Sequence, residues 1–176
     1  MTTTSMPDAS RQAPWPAPSR PLGPGERAPD FLLPVTPDEK LSLSSLLGRP
    51  VILVFYPADF SPVCGDELAL YNELYGELRR RHGAELVGIS VDGPWCHAAY
   101  KDQRRFRFPL LSDFEPKGEV AKQYGVYRYG DGVAERGLFV LEPDGVIHWS
   151  DVSPPDINPG ADGILQALEQ LEQEDR

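Results

Sequence analysis

Cys64, one of two cysteines in 176 residues, stands in the segment Phe55-Tyr56-Pro57-Ala58-Asp59-Phe60-Ser61-Pro62-Val63-Cys64. The apolar run Val51–Tyr56 has the length and β-branched character of a strand, and Val63–Arg81 carries Val63, Leu70, Tyr71, Leu74, Tyr75 and Leu78 at helical spacing. Cys64 is therefore expected in the first turn of a helix, just after a proline-rich turn. Unpaired backbone N–H groups and the positive end of the helix dipole favour thiolate over thiol at such a place. Thiolate character alone does not make a fast catalyst. Lowering a thiol pKa from about 8.5 to about 6 raises the ionised fraction at neutral pH roughly thirtyfold, and the accompanying loss of nucleophilicity returns about a factor of ten. Most of any acceleration must come from donors aimed at the reacting atoms. Ser61, three residues before Cys64, offers a hydroxyl in the right turn, and it equally suits a helix N-cap.

Pro57, Ser61 and Cys64 fit the Pro-x-x-x-Thr/Ser-x-x-Cys signature of peroxiredoxins, and Gly25 to about Leu171 resembles the peroxiredoxin branch of the thioredoxin-like fold. Further pieces follow in family order: Gly25-Glu26-Arg27-Ala28-Pro29-Asp30-Phe31, Gly88-Ile89-Ser90-Val91-Asp92, Phe108-Pro109-Leu110-Leu111-Ser112-Asp113 and Glu135-Arg136-Gly137-Leu138-Phe139-Val140. The resemblance implies a thiol-dependent peroxidase that reduces hydrogen peroxide and organic hydroperoxides through a Cys64 sulfenic acid. It also implies that Arg136 brings fixed positive charge to thiolate and peroxide, and that Pro57 shields the sulfur from water. Glu67, one turn after Cys64, is expected to orient Arg136. No cofactor is expected.

Cys96 decides between two peroxidase cycles. It follows a strand ending near Val91 and opens the helix Pro94-Trp95-Cys96-His97, at the sheet end where Cys64 also belongs. It can resolve the sulfenic acid as an intramolecular disulfide, which a thioredoxin-like or other dithiol then reduces. Alternatively the enzyme runs on one cysteine and an external thiol. Disulfide formation needs Cβ atoms about 3.5–4.5 Å apart, so the first turn of one or both helices must unwind. Two departures from family patterns bear on this: Ala69 stands where Q-type relatives often carry a resolving cysteine, and there is no C-terminal Val-Cys-Pro. The chain thus resembles Q-type relatives with a different resolving position, and also actinobacterial one-cysteine alkyl hydroperoxide reductases. A redox-sensing or holdase module using the same cysteines is the non-enzyme alternative. A disulfide reductase is disfavoured, because the third residue after Cys64 is Glu67 and not cysteine.

The elements that must position these groups follow from pattern. Thr36–Lys40 reads as a turn between short strands, Ala84–Val91 as a strand, Pro94 to about Arg105 as a helix and Pro116–Tyr124 as a helix opened by its proline. Two strands joined through Glu142-Pro143-Asp144-Gly145 come next, and Asn158-Pro159 opens a closing helix carrying Ile164, Leu165, Leu168 and Leu171. The expected class is α/β: a central mixed sheet with helices on both faces. Residues 1–24, rich in Thr, Ser, Ala and Pro, read as a flexible tail with Trp15 as its one bulky residue, and 25–176 as the folded domain.

Composition excludes several functions. With 27 acidic and 17 basic residues the net charge is -10, which repels phosphate backbones and anionic membranes, so neither nucleic acid nor membrane is an expected partner. No apolar run approaches the roughly 20 residues of a membrane span, and the N-terminal segment lacks the apolar centre of a secretion signal. A cytoplasmic protein is expected, where two cysteines serve chemistry rather than structure. A metal site is not expected: Cys96-His97, His82 and His148 have no paired ligand spacing. His97 is expected to pack against the sheet, the alternative being that it lowers the Cys96 pKa. Monomer and homodimer both stay open.

Overall fold

A computed structural model describes residues 20–175. The chain opens with a short hairpin, β1 (Leu32–Pro34) and β2 (Lys40–Ser42), turning through Thr36–Glu39 as expected. The central sheet contains β3 (Val51–Phe55), β4 (Glu85–Ser90), β5 (Leu110–Ser112), β8 (Arg136–Leu141) and β9 (Ile147–Ser153) in the order β5-β4-β3-β8-β9. The pairs β3–β4 and β4–β5 are parallel, and β3–β8 and β8–β9 antiparallel, so the sheet is mixed. Every residue of β3 and of β8 is buried, as a central strand covered on both faces requires. The edge strand β9 is half-buried or exposed after its first residue, Ile147.

Alternate residues of the strands feed two cores. Ile52, Val54 and Val140 face α1 (Pro62–His82), α2 (Pro94–Arg104) and α4 (Asp162–Glu174), which contribute Leu68, Tyr100 and Leu168 to one cluster. Val51, Leu53 and Phe139 pack beneath α3 (Glu119–Gln123) and the N-terminal hairpin region, with Phe31, Leu43 and Val120. The expected α/β class with helices on both faces is therefore present.

Three boundaries depart from expectation. The helix expected at Pro116 starts at Glu119, because Gly118 adopts a left-handed φ of 66° and the Asp113 carboxylate accepts the N–H groups of Val120 and Ala121. The closing helix starts at Asp162 and not at Asn158, whose side chain accepts the N–H of Gly160 in a tight turn with φ 69° at the glycine. A small hairpin, β6 (Tyr127–Arg128) with β7 (Val133–Ala134), was not signalled by pattern.

The expected tail 1–24 lies outside the described residues up to residue 19, Trp15 included. Its last part is not free: Leu22 donates to the Tyr124 carbonyl at 3.1 Å and accepts from the Ser150 hydroxyl at 3.1 Å. The Arg20 backbone approaches Gly125 so closely that any side chain there would collide with it. Among the described residues no helix is long and apolar enough to cross a membrane.

Candidate active site

Strand β3 ends at Phe55, and Tyr56–Ser61 forms the turn into α1. Pro62 occupies the first helical turn, where its missing N–H costs nothing and its fixed φ is already helical. The Gly65 N–H donates to the Ser61 carbonyl at 2.8 Å, closing the first helical bond around Cys64. Phe60, just before the N-cap, has φ 65°, a costly value for an aromatic residue, and its ring lies 4.8 Å from the Tyr100 ring on α2. Ser61 is the N-cap residue but its hydroxyl makes no capping bond, and among the described residues it is left uncommitted. Pro57 and Ser61 are both half-buried.

Cys64 is fully buried. Its sulfur receives a hydrogen bond from Arg136 Nη2 at 3.4 Å. Arg136 opens β8, where the next residue, Gly137, pairs with Phe55 at the end of β3; the sheet register thus carries the guanidinium to the start of α1. The guanidinium is held on three sides: Nε and Nη2 donate to the Pro155 carbonyl at 3.2 and 2.6 Å, and Nη1 donates to the Glu67 carboxylate. Glu67 is completely buried and also lies 3.2 Å from the Tyr71 hydroxyl, itself 2.9 Å from the Gly160 carbonyl. Burial pushes the Glu67 carboxyl up despite the opposing guanidinium. Burial works against the charge on Arg136 too, but the Cys64 sulfur and Glu67 outweigh it and hold the guanidinium above its ordinary value.

Three of the residues expected from sequence, Cys64, Arg136 and Glu67, therefore meet directly. Tyr71 and the Pro155 carbonyl complete the cluster, and nothing in the sequence marked them: Tyr71 reads as a core residue of an amphipathic helix, and the carbonyl belongs to an irregular loop.

Cys96 lies in different company. It is half-buried in the first turn of α2, 4.0 Å from Asp92 Oδ1, and both cysteines are free thiols. Burial, then the hydrogen bond and charge of Asp59 and the charge of Asp92, push its thiol up to about 12. His97, expected merely to pack, is buried with both ring nitrogens engaged, Nδ1 at 2.7 Å from Asp59 Oδ2 and Nε2 at 3.0 Å from the Leu111 carbonyl. Asp59 also accepts from the Tyr56 hydroxyl at 2.6 Å, and its N–H donates to Asp92 at 2.9 Å. This network ties the turn before Cys64 to the helix bearing Cys96. Asp59, Asp92 and Cys96 have ligand atoms within 4.8 Å of one another, but the carboxylates are already occupied by Tyr56, His97 and, at 2.5 Å, the Ser90 hydroxyl.

A thiol capped by a buried arginine at the start of a helix, on a mixed five-stranded sheet, now meets its relatives. The AhpC/TSA family matches residues 24–150. The chain belongs to that family, the peroxiredoxins. Alkyl hydroperoxide reductase E of Mycobacterium tuberculosis is 37% identical over 135 residues, 76% of this chain and 88% of the relative. Peroxiredoxin 2 of Thermoplasma acidophilum is 31% identical over 154 residues, 84% of this chain and 75% of the relative. Among solved structures, AhpC of Enterococcus faecalis superposes with a TM-score of 0.77 at 29% identity, covering 85% of this chain and 92% of that one. Peroxidoxin BcpB of Mycobacterium tuberculosis superposes at 0.73 and 33% identity, covering 86% and 97%. This peroxiredoxin thus has the thioredoxin-like fold of its neighbours, and it is a thiol-dependent peroxidase.

Proposed function

We propose that this peroxiredoxin reduces hydrogen peroxide and organic hydroperoxides at Cys64 and that Cys96 resolves the product as an intramolecular disulfide. The observation that carries the first half is the buried Cys64 sulfur facing Arg136 Nη2 at 3.4 Å. As thiolate, Cys64 attacks the terminal peroxide oxygen: an S–O bond forms, the O–O bond breaks, and its electron pair leaves on water or an alcohol after protonation. A guanidinium already anchored by Glu67 and Pro155 needs no reorganisation to stabilise that charge shift, and the uncommitted Ser61 hydroxyl supplies a second donor. Pro57 at the turn limits access of water. A relative named for alkyl hydroperoxide reduction supports the organic substrates.

In the second half, the Cys96 thiol condenses with the Cys64 sulfenic acid, forming the S–S bond and releasing water; a thioredoxin-like dithiol in the cytoplasm then reduces the bridge. The first turn of α2 must leave Asp59 and Asp92 for this, and that departure removes the carboxylates that keep Cys96 protonated. Unwinding and activation are one event. The same observation supports a second reading, in which Cys96 stays behind its carboxylates and an external thiol reduces Cys64 directly. Mass spectrometry after one equivalent of peroxide separates the two. A Cys64–Cys96 bridge, replaced by sulfenic acid in Cys96→Ser, is the expected result; sulfenic acid in the unmutated protein with no bridge establishes the one-cysteine cycle. If reduced protein consumes peroxide no faster than a free thiol, and Cys64→Ser matches it, Cys64 is not the reacting group.

A further inference from the structure

A cleft of about 480 Å³ opens at the end of the sheet away from Cys64. Arg79 and Arg80 lie in the last turn of the helix that Cys64 begins, and a rise of 1.5 Å per residue puts them roughly 23 Å from the sulfur. Arg49, ahead of β3, and Arg107, between α2 and β5, complete a set of four arginines lining the cleft, with Tyr75 beneath two of them. The guanidinium carbons of Arg79 and Arg107 sit 5.6 and 6.0 Å from the centre of that ring. Arg107 is fixed across α1 by Asn72, its backbone N–H donating to Oδ1 at 2.8 Å and its Nη2 to the carbonyl at 2.6 Å.

Among the described residues one carboxylate is bonded to this set: Glu85 lies 3.3 Å from both Arg49 and Arg79. Four guanidiniums against one carboxylate leave three uncompensated positive charges, in a chain whose net charge is -10. Cations at a helix C-terminus are ordinarily explained by the helix dipole. That explanation covers Arg79 and Arg80, which share their turn with Arg81 and His82, themselves paired with Glu77, Glu169 and Glu172. It does not cover Arg49 and Arg107, which arrive from outside the helix. Arg80 and Arg107 have no carboxylate partner among the described residues, and gathering like charges in one cleft costs Coulomb energy until an anion joins them.

We propose that this cleft binds a small molecule carrying a diphosphate or triphosphate group, with Arg80 and Arg107 as its principal ligands. The planar fork of each guanidinium matches adjacent phosphate oxygens, and several forks around one cleft suit a chain of phosphates better than a single carboxylate. The cleft lies within the usual size range of small-molecule sites. The chain's overall negative charge still repels a long polyanion such as a duplex. A ligand a few ångströms across senses mainly the charges within a Debye length of about 10 Å.

Isothermal titration calorimetry on the full chain, in 50 mM salt, with pyrophosphate and ATP as probes tests this. Saturable binding tighter than about 0.1 mM is expected, weakened at least tenfold in Arg80→Ser/Arg107→Ser and strengthened several-fold in Glu85→Gln, which removes the competing charge but keeps an acceptor. Equal affinity for both probes assigns the site to inorganic polyphosphate, and at least tenfold tighter binding of ATP assigns it to a nucleoside triphosphate. Absence of binding by either probe at 1 mM overturns the proposal, as does unchanged affinity in the double variant. Peroxide reactivity of Cys64 in the same double variant is expected to be unaltered, which confirms the fold independently of the cleft.

Discussion

Cys64 and Cys96 each stand in the first turn of a helix that begins at a proline and follows a buried parallel strand, yet their electrostatic settings are opposite. Cys64 is sealed from solvent and faces a guanidinium; Cys96 is half-open and faces two carboxylates. A helix start therefore does not by itself make a nucleophile. What separates the two thiols is the side chain that the neighbouring strand delivers: β8 brings Arg136 to one, while the loops after β3 and β4 bring Asp59 and Asp92 to the other.

The strongest way to break this contrast is to take the cation from Cys64. Arg136→Ala is expected to slow sulfenic acid formation by about a hundredfold or more, the scale of losing a preorganised donor at the developing charge. The variant also leaves Glu67 buried without its partner, which costs roughly 3–5 kcal/mol of stability. Glu67→Gln supplies the control: it retains Arg136 and a hydrogen-bonding side chain, and is expected to lose no more than about tenfold. Stopped-flow peroxide reduction on folded protein measures both. An Arg136 variant as fast as the unmutated protein would remove the guanidinium from the mechanism.

The next test takes the anions from Cys96. With its thiol pushed up to about 12, the Cys96 thiolate fraction rises about tenfold per pH unit through the neutral and mildly alkaline range, where a free cysteine levels off above about 8.5. Asp92→Asn is expected to raise the alkylation rate of Cys96 at pH 8 and to move its pH profile downward, by less than removal of the Asp59 carboxylate would. Mass spectrometry of iodoacetamide adducts reads this, and an unmoved profile would deny Asp92 its share and leave the shift to burial and Asp59. The sign for stability is fixed by the same shift. A folded-state pKa above the unfolded one contributes stability that is complete below about 8.5 and is lost as pH rises toward 12. Chemical denaturation of Cys96→Ser should therefore show a weaker decline of stability above pH 9 than the unmutated protein.

How much of this contrast was legible beforehand depends on the range of the forces involved. The central strands and the Cys64 helix are local and apolar, so periodicity located Val51–Phe55 and α1 within a residue or two. The Cys64–Arg136 contact spans 72 residues of sequence, and residue type alone does not say which arginine meets the sulfur; family resemblance brought Arg136 in. Asp59 and Asp92 stayed unread, and the polar role of His97 with them, because each is an ordinary loop or helix residue until the sheet gathers β3, β4 and α2 at one edge. The same applies at the shifted helix starts, where Asp113 accepts the first free N–H groups of α3 from outside the periodic segment and Asn158 holds Gly160 in a turn that delays α4.

The smallest expected effect belongs to the residue lying between the two regions. Tyr100 follows Cys96 by one helical turn, is 1% exposed, and its hydroxyl has no hydrogen-bond partner among the described residues. Burial first, and then the negative charges of Cys64, Asp59 and Asp92, push this phenol up to about 12 against the opposing Arg104. A buried donor without an acceptor is a liability, so Tyr100→Phe should raise stability by about 1 kcal/mol, a rise of a few degrees in Tm by calorimetry. A fall in Tm would mean that the hydroxyl is satisfied by a bound water, and the partition between the two thiols would then be wet. That outcome would sharpen the contrast between the two thiols, because a polar, hydrated partition raises the local dielectric, weakens the pull of Asp59 and Asp92 on Cys64 and of Arg136 on Cys96, and leaves each sulfur to its own neighbours.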